Sequence, residues 1–467
     1  MGNESLKNRN IILNTAKDTF KANKDAFIHE YMEALKIPSI SLDSNYNAQS
    51  DRCAKFFNEW LLKIGLESKI ITTNGNSIVY GKYKVSDDAP TVLIYGHYDV
   101  QPVIEKNWDT PPFTPTLKGE RVYARGAHDD KGQICYVICA IKSLIESKNI
   151  GFNIKFVIDG EEECGSQNTT ELLLSMKKEL ECDYLYVCDS ESTSKDLATI
   201  ILGLRGICAF EITLKGANTG VHSGTFGGML SNPAVELCKL ISSLYDKEGK
   251  ITVKGFYDNV KDLSEIPVND IAPFDEDEIF KITGVKPTGG EQYIKNGNVR
   301  AGARPTIDVL YMTSGPKNEE DISNSIPPFA KARVSVRLVD KQDPEEIVNL
   351  IKAHLEREHK TGLKLEVKRV EDGAVALSIP RDGKAINRAK NVIKEIYSGN
   401  FNFSYEGGSI PIVSDLSKFS KHEPVLVGFG LKEDNIHADN ESFSLTQFEN
   451  GFYFAYLFLS KELAFNE

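Results

Sequence analysis

The chain has 467 residues, 41% of them hydrophobic and 26% charged, with a formal net charge of −12. That length exceeds one ordinary core and predicts two or three domains, and the balance of apolar and charged residues excludes extended disorder. The acidic excess argues against nucleic acid or an anionic membrane surface as the main partner, and no apolar run is long enough to span a bilayer.

The segment Met1-Gly2-Asn3-Glu4-Ser5-Leu6 lacks the basic and apolar regions of a signal peptide, and Leu6 breaks the myristoylation pattern. With eight cysteines in so long a chain, the expectation is a cytoplasmic protein with reduced thiols. Cys135 and Cys139, and likewise Cys182 and Cys188, read as small core hydrophobes, because neither pair has zinc-finger spacing.

Phe27, Ile28, Tyr31, Met32 and Leu35 fall at helical spacing before Pro38, and a second helix is predicted over 49–64. Strands follow over 68–72 and 78–83, and then the apolar run Thr91-Val92-Leu93-Ile94 leads into Tyr95-Gly96-His97-Tyr98-Asp99. Pro90 and Gly96 bound a short strand, so His97 and Asp99 belong at its end. Two residues apart on extended backbone, they point the same way. His97 can offer one ring nitrogen to a metal while Asp99 supports the other.

Arg125-Gly126-Ala127-His128-Asp129-Asp130-Lys131-Gly132 precedes a helix with Ile134, Val137, Ile138, Ile141, Leu144 and Ile145 on one face. A strand over 153–158 runs into Asp159-Gly160-Glu161-Glu162-Glu163, a helix is predicted over 170–180, and a strand over 184–188 ends at Asp189. Three apolar strands that finish in histidine or carboxylates predict an α/β fold. In it a mostly parallel sheet, with helices on both faces, gathers its strand ends at one edge.

After Gly203-Leu204-Arg205-Gly206 the texture changes. Alternating strands over 208–214, 306–311, 334–339 and 363–370 interleave with helices over 233–245 and 344–358, an order that predicts a ferredoxin-like α+β insert. The α/β pattern resumes near Ala385, with a helix to Tyr397 and a strand over 425–429 before Asn435-Ile436-His437. The expected organisation is a catalytic domain in two parts, 1–206 and 379–467, around an inserted domain, 207–378. Residues 255–304 are charged and irregular and predict no element.

The strand-end groups are His97, Asp99, Asp129, Asp130, Glu161, Glu162, Glu163, Asp189 and His437. Singly, each has an ordinary reading: a solvated glutamate run, a charged helix start, a surface histidine. Gathered at one sheet edge, that many carboxylates repel unless cations lie between them, since an unpaired buried charge costs several kcal/mol. Two divalent ions meet the need. Three carboxylates and two imidazoles offset most of their charge, and mixed N/O ligation suits zinc, or manganese or cobalt.

His97-Tyr98-Asp99, the segment from Arg125 to Gly132, Glu162-Glu163-Cys164-Gly165-Ser166, Val187-Cys188-Asp189 and the late His437 resemble a known family. It is that of the di-zinc metallopeptidases (clan MH) that include carnosinase, cytosolic non-specific dipeptidase, aminoacylase and succinyl-diaminopimelate desuccinylase. The likeness runs in order along nearly the whole chain, and Trp108-Asp109-Thr110-Pro111-Pro112-Phe113 looks most like the dipeptidase branch. The resemblance implies a zinc-exopeptidase-like fold with an inserted lid and dimerisation domain, and two divalent ions per subunit, Zn2+ first and Mn2+ or Co2+ as alternatives. It implies His97, Glu163, Asp189 and His437 as terminal ligands and Asp129 as the ligand bridging both ions. Glu162 becomes the general base and Asp99 the residue that orients His97. Glu162 would take a proton from a metal-polarised water, which bridges the ions as hydroxide and attacks the carbonyl, and then pass that proton to the leaving amine.

Two positions depart from the family pattern. Ala438 stands where serine is usual, although Asn440-Glu441 remain, and His128 stands where relatives often have a small residue and is expected to face solvent. In the insert, Gly220-Val221-His222-Ser223-Gly224 resembles a loop whose histidine enters the other subunit's site and stabilises the oxyanion, implying a homodimer through the inserted domain. Arg337 falls with Ser335 on the less apolar side of its strand and resembles the arginine that grips the substrate's terminal carboxylate. Gly407 and Gly408 let backbone N–H groups approach a ligand, Ser409 adds a hydroxyl, and the resemblance places all three at that carboxylate. The expected activity is amide hydrolysis of dipeptides or short peptides with a free C-terminus. The alternatives are an N-acyl amino acid hydrolase or desuccinylase on the same metal core, and a non-catalytic binding protein on this fold. Retention of Glu162 and all five ligands counts against the last.

Overall fold

The structure, a computed structural model, describes residues 3–315, 324–370 and 373–461. Its contacts divide the chain into two units, one of Met1–Leu202, Ile379–Phe403 and Ile410–Glu467, the other of Gly203–Ser378 and Ser404–Ser409. The short stretch Ser404–Ser409 thus groups with the inserted residues, where the sequence reading had put it with the C-terminal part.

The first unit is built on a sheet whose strands run in the order Glu67–Ile71, Ile78–Tyr83, Asn153–Asp159, Thr91–His97, Tyr184–Val187, Val425–Leu426 and Ala198–Leu204. The four strands from Asn153–Asp159 to Val425–Leu426 pair in parallel, and antiparallel pairs flank them. Burial explains the parallel centre. Every residue from Val92 to His97 is buried, so both faces of that strand are covered, and continuous apolar runs replace the alternation of a half-exposed strand. The helix Asn47–Lys63 buries Cys53, Ala54, Phe57, Trp60 and Leu61 on one side, as its periodicity predicts.

The helices Asn3–Leu35, Lys131–Glu146 and Leu445–Leu459 meet through aromatic rings. Phe20 lies 5.2 Å from Phe452, and Tyr136 sits edge-on to Phe429 and Phe448. The last helix escaped the sequence reading for a physical reason. It buries nearly every side chain, so it has no polar face to create a helical period. The helix predicted over 170–180 is two pieces, Gln167–Ser175 and Lys177–Leu180, and the strand predicted over 425–429 stops at Leu426.

The second unit carries a four-stranded antiparallel sheet in the order Thr306–Ser314, Phe329–Leu338, Gly206–Lys215, Lys364–Arg369. With the helices Pro233–Ser242 and Pro344–Glu358 it has the ferredoxin-like order. Cys208, Phe210, Ile212 and Leu214 alternate onto the face that packs against Leu237, Leu240, Ile351 and Leu355. Both helices start on a side-chain cap followed by proline. Asn232 accepts from the Ala234 N–H, and Asp343 accepts from those of Glu345 and Glu346.

Residues 255–304, where the sequence predicted nothing, hold the short helices Glu276–Thr283 and Gly297–Gly302 and a small core of Ile266, Ile271, Ile294, Val299 and Ala303. A buried Arg304–Glu291 ion pair closes that segment on itself. Such a core is assembled from isolated apolar residues, which leave no period to read.

Candidate metal centre

The parallel strands deliver the first donors. His97 ends Thr91–His97, while the strands Asn153–Asp159 and Tyr184–Val187 run out toward Glu163 and Asp189. Asp129 lies just ahead of the helix Lys131–Glu146, and His437 lies in the left-handed region at φ 59°. These five residues converge in the first unit as two overlapping groups. His97, Asp129 and Asp189 form one and Asp129, Glu163 and His437 the other, with the donor atoms of each group all within 4.8 Å of one another.

Asp129 is shared by division of its carboxylate. Its Oδ1 lies 3.0 Å from His97 Nε2, and its Oδ2 lies 2.8 Å from His437 Nε2. Asp189 Oδ2 stands 3.7 Å from His97 Nε2, and Glu163 Oε2 stands 3.2 Å from His437 Nε2. Each oxygen of one carboxylate therefore faces a different imidazole, and each imidazole has a second carboxylate beside it.

The electrostatics match a place that takes cations. Burial, then the charge of Asp129, pushes the Asp189 carboxyl up to about 7, and the same two causes raise Glu163. Hydrogen bonds to Asp129 and Glu163 raise His437 to about 10. Against the opposing effect of burial, hydrogen bonds to Asp129 and Asp99 raise His97, and hydrogen bonds from His437 and His97 hold the Asp129 carboxyl well below its usual range. Acids and imidazoles crowded in this way are the setting whose repulsion a divalent ion would relieve, and two imidazoles with three carboxylates are a donor set suited to zinc, manganese or cobalt.

A second set of groups holds these donors in place. Asp99 is fully buried. Its carbonyl oxygen lies 3.1 Å and its Oδ1 3.3 Å from His97 Nδ1, while its two carboxylate oxygens accept the N–H groups of Glu162 and Glu163 at 3.1 and 3.0 Å. One aspartate thus orients an imidazole and fixes the turn that carries two glutamates. Asp130, also fully buried, accepts the His97 N–H at 3.1 Å. Gln101 donates to Glu163 Oε2 at 2.7 Å. Glu162 stands outside both donor groups, and burial raises its carboxyl well above the ordinary glutamate range.

Glu441 and Asp434 were not assigned roles by the sequence, yet both organise the ligand loops. Glu441 accepts the N–H groups of Gly126, His128 and Asp129 and a side-chain bond from Arg125. Asp434 accepts the Leu431 N–H at 2.7 Å and pairs with Arg121. Only the approach of two loops some 300 positions apart in sequence reveals this, as in the 312-residue separation of Asp129 and Glu441. His128 corrects the expectation of a solvent-facing side chain. It is 2% exposed, stacks on Phe443, lies 3.3 Å from Asp434, and is pushed down to about 4 by burial.

The remaining candidates lie in the second unit. Arg337 is half-buried on Phe329–Leu338 and donates through Nη1 to Ser409 Oγ at 2.9 Å. Gly407, Gly408 and Ser409 run alongside Arg205. His222 is exposed at the end of the short strand Val221–His222, with Thr225 Oγ1 at 3.3 Å from its Nδ1.

Comparison with known proteins follows the same outline. The profile of Peptidase family M20/M25/M40 matches residues 93–461. The Cys-Gly metallodipeptidase dug1 of Schizosaccharomyces pombe is 29% identical over 453 residues, 92% of this chain and 94% of that protein. The Beta-Ala-His dipeptidase of Rattus norvegicus is 27% identical over 381 residues, 78% of this chain and 75% of that protein. Among solved structures, the M20 family metallo-carboxypeptidase Sso-CP2 from Sulfolobus solfataricus is similar at a TM-score of 0.80 and 27% identity, covering 94% of this chain and 99% of that one. No helix among the described residues is long and apolar enough to cross a membrane.

Proposed function

The chain belongs to Peptidase family M20/M25/M40, and from that premise we propose that it is a dinuclear metallodipeptidase acting on short peptides with a free C-terminal carboxylate. The observation that carries the reading is the split carboxylate of Asp129, each oxygen facing its own histidine and a further carboxylate. His97, Asp129 and Asp189 would hold one divalent ion, and Asp129, Glu163 and His437 the other, with zinc as the first choice and manganese or cobalt as alternatives. When bound, such ions supply Lewis-acid polarisation of the scissile carbonyl and of water.

The chain's own residues then carry the proton and the substrate. Glu162 accepts the proton of the attacking water and returns it to the leaving nitrogen, a task that suits a carboxylate whose proton affinity is raised by burial. Asp99 keeps His97 in one orientation. Arg337 receives the terminal carboxylate, for which a guanidinium fork is a matched donor, Ser409 sits against that fork as its acceptor, and the backbone at Gly407 and Gly408 completes the cradle.

His222 is read as an oxyanion donor to the second subunit of a homodimer. Its exposure supports this, as does the strand Thr306–Ser314, which edges its sheet with Leu310 62%, Tyr311 50% and Met312 51% exposed. Cysteines that are all free thiols support a cytoplasmic setting.

The test is a screen of metal-reconstituted protein against α-dipeptides, β-alanyl dipeptides, C-terminally amidated dipeptides and N-acyl amino acids. Turnover of free dipeptides well above the other classes is expected. Preference for N-acyl amino acids moves the assignment to the acylase branch, and no turnover of any class with both ions bound overturns it.

A further inference from the structure

Arg205 stands between the strands Ala198–Leu204 and Gly206–Lys215 and touches all three residues of the loop from Gly407 to Ser409. Its backbone N–H donates to the Gly408 carbonyl at 3.1 Å, its Nε donates to the Gly407 carbonyl at 3.0 Å, and its own carbonyl accepts the Ser409 hydroxyl. The same hydroxyl receives Arg337 Nη1, so Ser409 is oriented from both sides. The guanidinium is locked in turn, because Nη1 reaches Thr306 Oγ1 at 3.3 Å and Thr306 donates to Asp308. Gly407 leaves no slack. A Cβ there would stand 3.1 Å from Arg205 Nη2 and 3.0 Å from the Ala301 carbonyl.

We infer that Arg205 is the positioning residue of the substrate-carboxylate site: it holds the Gly407-Gly408 backbone in place and takes the Ser409 hydroxyl proton on its own carbonyl, so that Ser409 accepts from Arg337 and steadies the guanidinium that grips the anion. The inference rests on the reading of Arg337 given above. Burial and the neighbouring Arg337 pull the Arg205 guanidinium down to about 10, with Asp308 acting against them, in keeping with a side chain spent on the loop. A carboxylate is the group whose geometry suits the guanidinium fork of Arg337. Arg205 is not interchangeable with lysine, because an ammonium on that stem cannot reproduce the in-line Nε contact to Gly407 while reaching Thr306.

The experiment measures kcat and KM of metal-loaded protein on Ala-Gly and on Ala-Gly amide for the wild type, Arg205→Lys, Gly407→Ala and Arg337→Lys. Arg205→Lys is expected to raise KM for Ala-Gly by about tenfold or more with kcat within about threefold, and to shrink the preference for the free over the amidated peptide. Gly407→Ala reaches the same contact from the loop side and should behave alike, so it decides the matter if Arg205→Lys does not fold. Wild-type KM and wild-type preference in the folded variants overturn the role of Arg205, as does a loss confined to kcat. The Arg337→Lys arm separates the two readings. If it abolishes the preference while the Arg205 and Gly407 variants keep it, Arg205 alone loses its role, and if it too keeps the preference, the carboxylate reading itself falls.

Discussion

The Glu441 carboxylate receives the Asp129 N–H at 3.1 Å on the same oxygen that receives the His128 N–H at 3.0 Å, while its other oxygen takes Gly126 and Arg125. The shared metal-ligand candidate is therefore positioned by a fully buried acid that lies outside both donor groups. In Glu441→Gln the amide nitrogen replaces one acceptor and leaves buried N–H donors unmet. The expected costs are about 2 kcal/mol of stability and a weakening of metal affinity by about 10- to 100-fold, read from melting curves and from competition with a chelator. Unchanged affinity in a folded Glu441→Gln protein would separate the acid from the metal site.

Glu162 lies beyond both donor groups, and its neighbour Glu163 lies within one. Exchanging either carboxylate for an amide should therefore give different results. Glu162→Gln is expected to keep its metal content by elemental analysis and lose about 10²- to 10⁴-fold in turnover. Glu163→Gln should lose metal first. Near-normal turnover in Glu162→Gln would remove it as the base.

Metal-stripped protein should become less stable as pH rises. Asp189, raised to about 7, holds a proton in the folded chain between the unfolded carboxyl value and 7, so folding binds a proton there and stability falls through that window. His437, raised to about 10, acts with the same sign from the unfolded histidine value up to 10. Bound cations displace those protons, so metal affinity should strengthen with rising pH while the stripped protein weakens. Melting curves from pH 5 to 9, with and without chelator, check both halves, and a stripped protein that gains stability over that range contradicts the assignment.

His222→Ala and Arg337→Ala are each expected to be poorly active alone. If His222 serves the partner subunit's site, mixing the two variants restores one intact site per heterodimer and recovers up to about a quarter of wild-type activity after random reassortment. Verified heterodimers without recovery would overturn the action of His222 across the dimer.

Much of the candidate site was legible because its residues sit beside strongly patterned elements. The apolar run before His97 and the one before Asp189 are buried strands, so the residues that follow them fall at one sheet edge as a matter of topology. The different tasks of the adjacent Glu162 and Glu163 came from the family resemblance, with which the divergence of neighbouring side chains at a strand end is compatible. His128 was misjudged because a histidine between charged residues looks solvated, and only the folded loop shows Phe443 and Asp434 enclosing it.

The order of elements, the α/β pattern, the ferredoxin-like insert and the set of acids and histidines at the strand ends follow from the sequence, since local periodicity and strand ends are properties of neighbouring residues, while the choice of five donors among them came from the family resemblance. Tertiary structure alone decided which oxygen of Asp129 faces which histidine, that Glu441 and Asp434 hold the ligand loops, and that Arg205 touches Gly407, Gly408 and Ser409. The contacts of Glu441 with Asp129 and of Arg205 with Gly407 join residues 312 and 202 positions apart, and no local pattern encodes the partner of a buried acid or guanidinium. It is the demand that every buried polar group find one that brings them together.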